Sequence, residues 1–305
     1  MQKGIVVKST GSWYIVRMDD GETVECRIRG RFRIEGIRTT NPVAVGDYVS
    51  VETGVEGGVI TGIEPRKNYV IRKSTNLSKE SHILAANVDQ ALLVVTVNHP
   101  VTSTVFIDRF LASAEAYNIP TVIVFNKVDL YDEEDQAMSG GLMAIYRKVG
   151  YTCLGVSAAM DEGVDAVREL LQGKVTVLSG LSGVGKSTLI NKVEPGLNLK
   201  TAVISDAHDS GKHTTTFAEM FPLTGGGCII DTPGVRSFGV VDMKKEEISH
   251  FFPEIFACAE NCRFYNCTHT HEPGCAVLEA VETGEVSESR YASYLSMMEE
   301  SGKYR

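Results

Sequence analysis

The sequence predicts a chain in three parts. These are a small OB-like β-barrel over residues 1–72, a parallel α/β domain with a phosphate loop over 73–240, and a mainly α, cysteine-rich module over 241–305. Three observations predict this. Five short apolar–polar runs, separated by turn signals, occupy the first seventy or so residues. From Ala91 the pattern changes to strand-like runs alternating with helical ones. Four of the seven cysteines then fall between Cys258 and Cys275.

The five runs are "GIVVKS", "WYIVRM", "TVECRIRGRFR", "DYVSVE" and "GGVITGIE", punctuated by "DDG", "TTNP", "VGD" and "TGVEGG". Five short strands in so little chain suit a small barrel of the OB type; a short SH3-like barrel reads similarly. In "RIRGRFRI", Arg27, Arg29, Arg31 and Arg33 alternate with Ile28, Gly30, Phe32 and Ile34. At a strand period of two the arginines share one face. That face is either solvated or in contact with phosphate, and the OB reading favours nucleic acid. Charge agrees. Residues 1–73 hold 12 Lys+Arg against 9 Asp+Glu, whereas the remainder holds 18 against 30, within a net charge of −9. A basic end on an acidic protein points to a polyanionic partner.

Residues 73–90 read as a linker. Beyond them "ALLVVTV", "TVIVFN", "TCLGVS", "KVTVLSG" and "CIID" are strand-like. "TVFIDRFLASAEAY" has helical apolar spacing, and "GVDAVRELLQG" ends at Gly173 as at a helix C′ position. Such alternation predicts a parallel α/β sheet. The segment Asp132–Gly141 is polar and yields no assignment. The longest apolar run, "ALLVVTV", is too short to span a membrane, and "MQKGIVVKST" lacks a secretory apolar core. A soluble cytoplasmic protein is expected, with cysteines free or metal-bound rather than disulfide-bonded.

"GLSGVGKS" fits G-x-x-x-x-G-K-[ST] between the strand "KVTVLS" and the helix-like "STLINKV". Gly180, Leu181, Ser182, Gly183, Val184 and Gly185 supply turning backbone whose amides cradle phosphates, and Thr188 follows the motif. Lys186 reaches the β- and γ-phosphates, and Ser187 can ligate Mg²⁺. "DTPG" follows the strand "CIID"; Asp231 suits the outer shell of Mg²⁺, and the Gly234 amide suits the γ-phosphate. "HTTT" lies between the two motifs, with Thr215, or Thr214 beside it, as the switch threonine. Upstream, "FNKVD" puts Asn126, Lys127 and Asp129 at a strand end. An aspartate there accepts from guanine N1–H and N2–H₂, a donor pair that adenine lacks. Ser157 and Ala158 in "VSAA" follow the next strand, where the Ala158 amide could donate to guanine O6. Together these point to GTP rather than ATP. The order, with base readers ahead of the phosphate loop, is a circular permutation of the ordinary GTPase order. It leaves the chain after Gly234 running directly into the C-terminal module, as a lever would.

"CRFYNCTHTHEPGC" spaces Cys262, Cys267, His269 and Cys275 as C-x4-C-x-H-x5-C. Three thiolates and an imidazole fill a tetrahedral zinc site, one ion per chain, with no open position. Cys258 and His271 are possible substitutes, and a free-thiol cluster is the alternative. "VSESRYASYLSMMEES" predicts a terminal helix packed on its own module.

At this point the combination resembles the RsgA family of bacterial small-subunit-dependent GTPases. The motifs "RGRFR", "NPVAVGD", "AANVDQ", "IDRF" and "GKHTTT" carry the resemblance along nearly the whole chain. It implies an OB domain, a permuted GTPase domain that uses GTP/GDP and Mg²⁺, and a zinc-binding domain. It also implies binding to the small ribosomal subunit and its rRNA, a part in late maturation, and faster hydrolysis when bound. No DNA, no membrane and a monomeric chain are expected. Val235 stands where Ras-like enzymes carry a water-orienting Gln, so His213 is the candidate to position the water. Two other readings remain. One is an rRNA-binding assembly factor in which GTP is mainly a conformational ligand; the other is a P-loop ATPase or kinase, which Asp129 disfavours.

Overall fold

A computed structural model of the chain describes residues 2–28, 42–54, 57–73, 81–197, 199, 218–231 and 243–300. Its N-terminal part is built from β1 (Gln2–Ser9), β2 (Tyr14–Met18), β3 (Thr23–Ile28), β4 (Tyr48–Gly54) and β5 (Gly57–Ile63). They pair in the order β1-β2-β3-β5-β4, and β4 pairs back onto β1, so the sheet closes into a barrel. The β3–β5 pair is parallel and the others are antiparallel. Among the described residues, closure by way of one parallel pair, β3–β5, is the OB-like arrangement. Period-two alternation buries Val6, Tyr14, Val16, Cys26, Val51 and Ile60 as one core. Arg27 faces outward from β3, and Ile28 is half-buried. Arg29, Arg31 and Arg33 lie outside the described residues.

The expected linker is in part a strand. β6 (Tyr69–Lys73) and β7 (Ser81–Ala86) form a hairpin. The polar "KSTNLSKES" dominates the composition of this stretch, yet the "HILAA" that follows buries Ile83 and Ala85. Apolar burial decides the strand there.

The α/β part runs β8 (Gln90–Val95), α1 (Thr104–Ala116), β9 (Thr121–Asn126), α2 (Glu133–Val149), β10 (Thr152–Val156), α3 (Val164–Leu171), β11 (Val175–Ser179), α4 (Lys186–Val193), β12 (Glu219–Pro222) and β13 (Cys228–Asp231). The sheet order is β10-β9-β8-β11-β13-β12, parallel except for β12. Every residue of β8 and β9 is buried, as in a sheet covered on both faces. Gly173, at φ 71°, follows the end of α3 as expected.

Helix α2 covers the segment left without assignment. It buries only Ser139 and Tyr146, so apolar spacing could not reveal it. Its ends specify it instead. Asp132 accepts the Asp135 amide, Glu133 to Asp135 sit in the first turn, Arg147 and Lys148 in the last, and Gly150 closes it at φ 113°. Strand β12, also unassigned from sequence, pairs with β1 of the barrel at Lys8↔Glu219. The Lys8 ammonium meets the Glu219 carboxylate at 3.0 Å. Among the described residues, barrel and α/β part thus share one sheet of eleven strands.

The C-terminal part holds α5 (Pro253–Ala259), α6 (Ala276–Glu282) and α7 (Glu288–Glu300). Phe252, Ile255, Val277, Tyr294 and Met297 form its core, together with Ala112 of α1. The expected inward stripe of the terminal helix is therefore packed on this module and on α1. Arg290 of α7 is 1% exposed. Its Nη1 donates to Asp108 of α1 (2.9 Å), and its Nε and Nη2 donate to Glu254 of α5 (2.7 and 3.0 Å). Tyr146 of α2 also donates to Asp108 (2.9 Å), and the Arg290 guanidinium lies 4.7 Å from the Phe252 ring centre.

Candidate functional site

The phosphate loop leaves the sheet at β11, the strand between β8 and β13. Gly180 takes φ +141°, and a Cβ there would lie 2.2 Å from the Val94 carbonyl of β8. Gly185 takes φ +95° and leaves a Cβ only 2.3 Å from Asn126 Nδ2. Only glycine fits these two positions, which press the loop against strands β8 and β9. Val184 is buried, whereas Leu181, Ser182, Gly183, Ser187 and Thr188 are half-buried or exposed along the rim. The Lys186 ammonium donates back to the carbonyls of Gly180 (2.8 Å) and Leu181 (2.7 Å), at the mouth of the loop. Burial lowers its pKa, opposed by the nearby charge of Asp231. Burial likewise raises the carboxyl of Asp231, the last residue of β13, opposed by Lys186. A cation and an anion face one desolvated spot, as a charged ligand with Mg²⁺ requires.

Asn126 ends β9 and is 1% exposed. Its Nδ2 donates to the Val184 carbonyl (2.8 Å), and its Oδ1 accepts the Ala158 amide (3.1 Å). One side chain therefore ties the phosphate loop to the loop after β10. The Ala158 amide, a candidate donor to guanine O6, is thus paired with a side chain within the protein. A buried N–H must be paired, and Asn126 is the acceptor it meets. Asp129 is exposed, and its Oδ1 accepts the hydroxyl of the fully buried Ser157 at 2.5 Å. Ser157 Oγ in turn accepts the Met160 amide (3.1 Å). The serine thus orients an exposed carboxylate. Lys127, at φ 66°, donates to the His99 carbonyl at 2.5 Å. The loop bearing His99 and Pro100 lies beside Gly183. Sequence reasoning missed this loop, because a backbone carbonyl carries no residue signature. Thr214, Thr215, His213, Gly234 and Val235 lie outside the described residues.

The four predicted metal ligands converge. Their ligand atoms all lie within 4.8 Å of one another. Cys262 Sγ is 3.9 Å from Cys275 Sγ, and each is 3.5 Å from His269 Nδ1. A tetrahedral ion with metal–sulfur bonds of about 2.3 Å and metal–nitrogen bonds of about 2.0 Å spaces its ligands about 3.5–3.8 Å apart. The residues fit such an ion. Burial keeps the His269 ring neutral by lowering its pKa, which suits a ligand, and its carbonyl accepts the Tyr291 hydroxyl (2.7 Å). Glu272 braces the loop by accepting from Thr268 and from the amides of Thr270 and His271. Cys258 and His271 are not in the cluster; the His271 Nδ1 pairs with Thr270 Oγ1 instead.

The family model described as RsgA GTPase matches residues 63–241, and that for the RsgA N-terminal domain matches residues 3–60. A protein named small ribosomal subunit biogenesis GTPase RsgA from Bacteroides fragilis is 62% identical over 306 residues, 99% of either chain. A protein of the same name from Porphyromonas gingivalis is 54% identical, over 99% of this chain and 98% of its own. The crystal structure of YjeQ from Thermotoga maritima matches with a TM-score of 0.81 and 38% identity, over 100% of this chain and 99% of that one. That of YloQ, described as a circularly permuted GTPase, matches with a TM-score of 0.75 and 31% identity, over 100% and 96%. The order of motifs along the chain, with Asn126 to Asp129 ahead of the phosphate loop, has the same explanation as these matches: the chain belongs to the RsgA GTPase family.

Proposed function

We propose that this GTPase binds the small ribosomal subunit through rRNA, hydrolyses GTP faster there, and couples hydrolysis to late maturation and to its own release. The observation that carries the reading is the full-length likeness, 62% identity, to a protein named for small-subunit biogenesis. In this reading residues 1–72, 73–240 and 241–305 are the rRNA-binding, GTPase and metal-binding parts. The protein works in the cytoplasm as a monomer.

The roles follow from chemistry. Asp129, held by Ser157, accepts from guanine N1–H and N2–H₂; Lys127 flanks the base. Asn126 holds the base loop and the phosphate loop in fixed relation. The Ala158 amide serves O6 by sharing its hydrogen with Asn126. The amides of Gly180–Thr188 and the Lys186 ammonium take up charge that builds on the β- and γ-phosphates. Ser187, Thr215 and Asp231 hold Mg²⁺ directly or through water, and the Gly234 amide senses the γ-phosphate. His213 positions the attacking water in place of the Gln that Val235 replaces. Three thiolates with one imidazole select zinc, which here is structural because no ligand position is open.

The test is GTP hydrolysis with and without small subunits, with large subunits and ATP as controls. Strong stimulation by small subunits alone supports the reading, and absence of stimulation overturns it. Val235 favours a second reading in which GTP is mainly a conformational ligand. Subunit affinity that depends on nucleotide without turnover would select it. If His213→Ala keeps full stimulated turnover, the water-positioning role is lost.

A further inference from the structure

The outer face of the barrel carries one row of side chains that neither the nucleotide site nor the metal module uses. Tyr14 pairs with Cys26 across β2 and β3, and both point inward. Their neighbours Trp13 and Arg27 therefore face out, side by side, by the period of two. The Arg27 guanidinium lies 3.7 Å from the Trp13 ring centre. The row continues, because Arg27 pairs with Val59 on β5, and Val59 with Glu52 on β4. Trp13 is fixed at the end of the β1–β2 turn, where its carbonyl accepts the Thr10 amide (2.9 Å) and hydroxyl (3.1 Å). Next to the row the backbone of Gly54, Gly57 and Gly58 forms the wall of a depression of about 640 Å³. At Gly54 even an added Cβ would meet nothing closer than 3.7 Å.

We infer that this depression is a stacking site for one unpaired RNA base, with Trp13 and Arg27 as its platform. The inference deepens the small-subunit reading and rests on it for the identity of the RNA. Three features favour a base over other occupants. An indole with a guanidinium laid on it presents a π-surface and a cation together, the combination that stacks bases and draws in a polyanion. The lining mixes the Arg27 cation with a carboxylate, Glu52, and an apolar side chain, Val59, a mixture that suits a heterocycle with a polar edge better than a phosphate. The volume lies within the range of small-ligand sites, and a duplex cannot insert a stacked base into it.

Trp13 is the chain's one tryptophan, so its fluorescence reports this site alone. The full-length protein is titrated with single-stranded RNA hexamers, a blunt RNA duplex, inorganic polyphosphate and basic ribosomal proteins free of RNA. Saturable quenching by single-stranded RNA, and much weaker quenching by the other three, is expected. Trp13→Ala should weaken binding of labelled single-stranded RNA about 5- to 150-fold, with Trp13→Phe between it and the parent. Arg27→Ala should weaken both binding and quenching. All three variants should keep basal GTP hydrolysis, because the row is remote from the phosphate loop. Equal quenching by duplex or polyphosphate, quenching by ribosomal proteins alone, or wild-type RNA affinity in a folded Trp13→Ala protein would overturn the assignment. Its failure is separable from that of the subunit reading. Stimulation of hydrolysis by small subunits without quenching removes only the base site; quenching without stimulation removes only the subunit reading.

Discussion

The nucleotide site and the metal module are held together by opposite means. The nucleotide site hangs on the ends of parallel strands buried on both faces, and its loops are joined by single side chains such as Asn126 and Ser157. The C-terminal module has a small core, and it depends on point attachments: the converging side chains of Cys262, Cys267, His269 and Cys275, and Arg290 clamped between Asp108 and Glu254. A large sheet stores its specificity in register, which explains why a circular permutation leaves the site intact. A small module has little area to bury, so a few strong contacts carry it.

The largest effect expected is on metal removal. Binding of a structural zinc ion is worth about 10–16 kcal/mol of apparent folding free energy in small zinc modules. Chelation should open residues 243–300 to proteolysis and leave GDP affinity nearly unchanged. Loss of nucleotide binding together with the module would break the comparison. Burial, aided by the neighbouring Cys275 thiol, pushes the metal-free Cys267 thiol up to about 12, so the ion must displace protons to bind. Retention of metal, followed by a chromogenic chelator, should therefore fall as the pH drops from about 8 to about 6.

Next is the clamp. Arg290→Ala leaves Asp108 buried without its cation and should cost about 3–5 kcal/mol in urea unfolding. Burial already pushes the Asp108 carboxyl up, opposed by Arg290, and the substitution removes that opposition. A folded-state pKa above the unfolded one means stability is lost as pH rises through that range. The deficit of Arg290→Ala should accordingly shrink on acidification. A pH-independent deficit would assign the effect to packing instead.

A smaller and more local effect is expected at the base. Asp129→Asn replaces an acceptor of two hydrogen bonds with a mixed donor–acceptor. Guanine nucleotide affinity should fall by about 100-fold, since charge-assisted bonds are worth about 1.5–3 kcal/mol each. Xanthine nucleotides, which present a carbonyl at C2, should recover part of it. Unchanged GTP selectivity would move base reading away from β9. The smallest effect belongs to the seam between barrel and α/β part. Lys8 and Glu219 are each about one-third exposed, so Lys8→Ala should change stability by less than about 1 kcal/mol. A larger loss would mean the β1–β12 pairing depends on that ion pair rather than on backbone and burial.

Much of this molecule is written in local sequence. The five barrel strands, the phosphate loop with its flanking strand and helix, and the cluster of Cys262, Cys267, His269 and Cys275 all depend on residues close together in sequence. Their side-chain period or spacing states the outcome directly. Helix α2 was not legible by apolar period, because its specification lies in its caps and terminal charges. The hairpin strand β7 was masked by its polar neighbours.

Other features exist only once distant segments meet. The joining of β12 to β1, the Ala158 amide held by Asn126, the Lys127–His99 contact and the burial of Arg290 are decided by register and packing across more than twenty residues of sequence. The physical reason is one of partners. A glycine turn or a strand period is satisfied by its own neighbourhood. A buried amide or guanidinium takes whichever acceptor the fold brings to it, and only the assembled sheet and helices determine which that is.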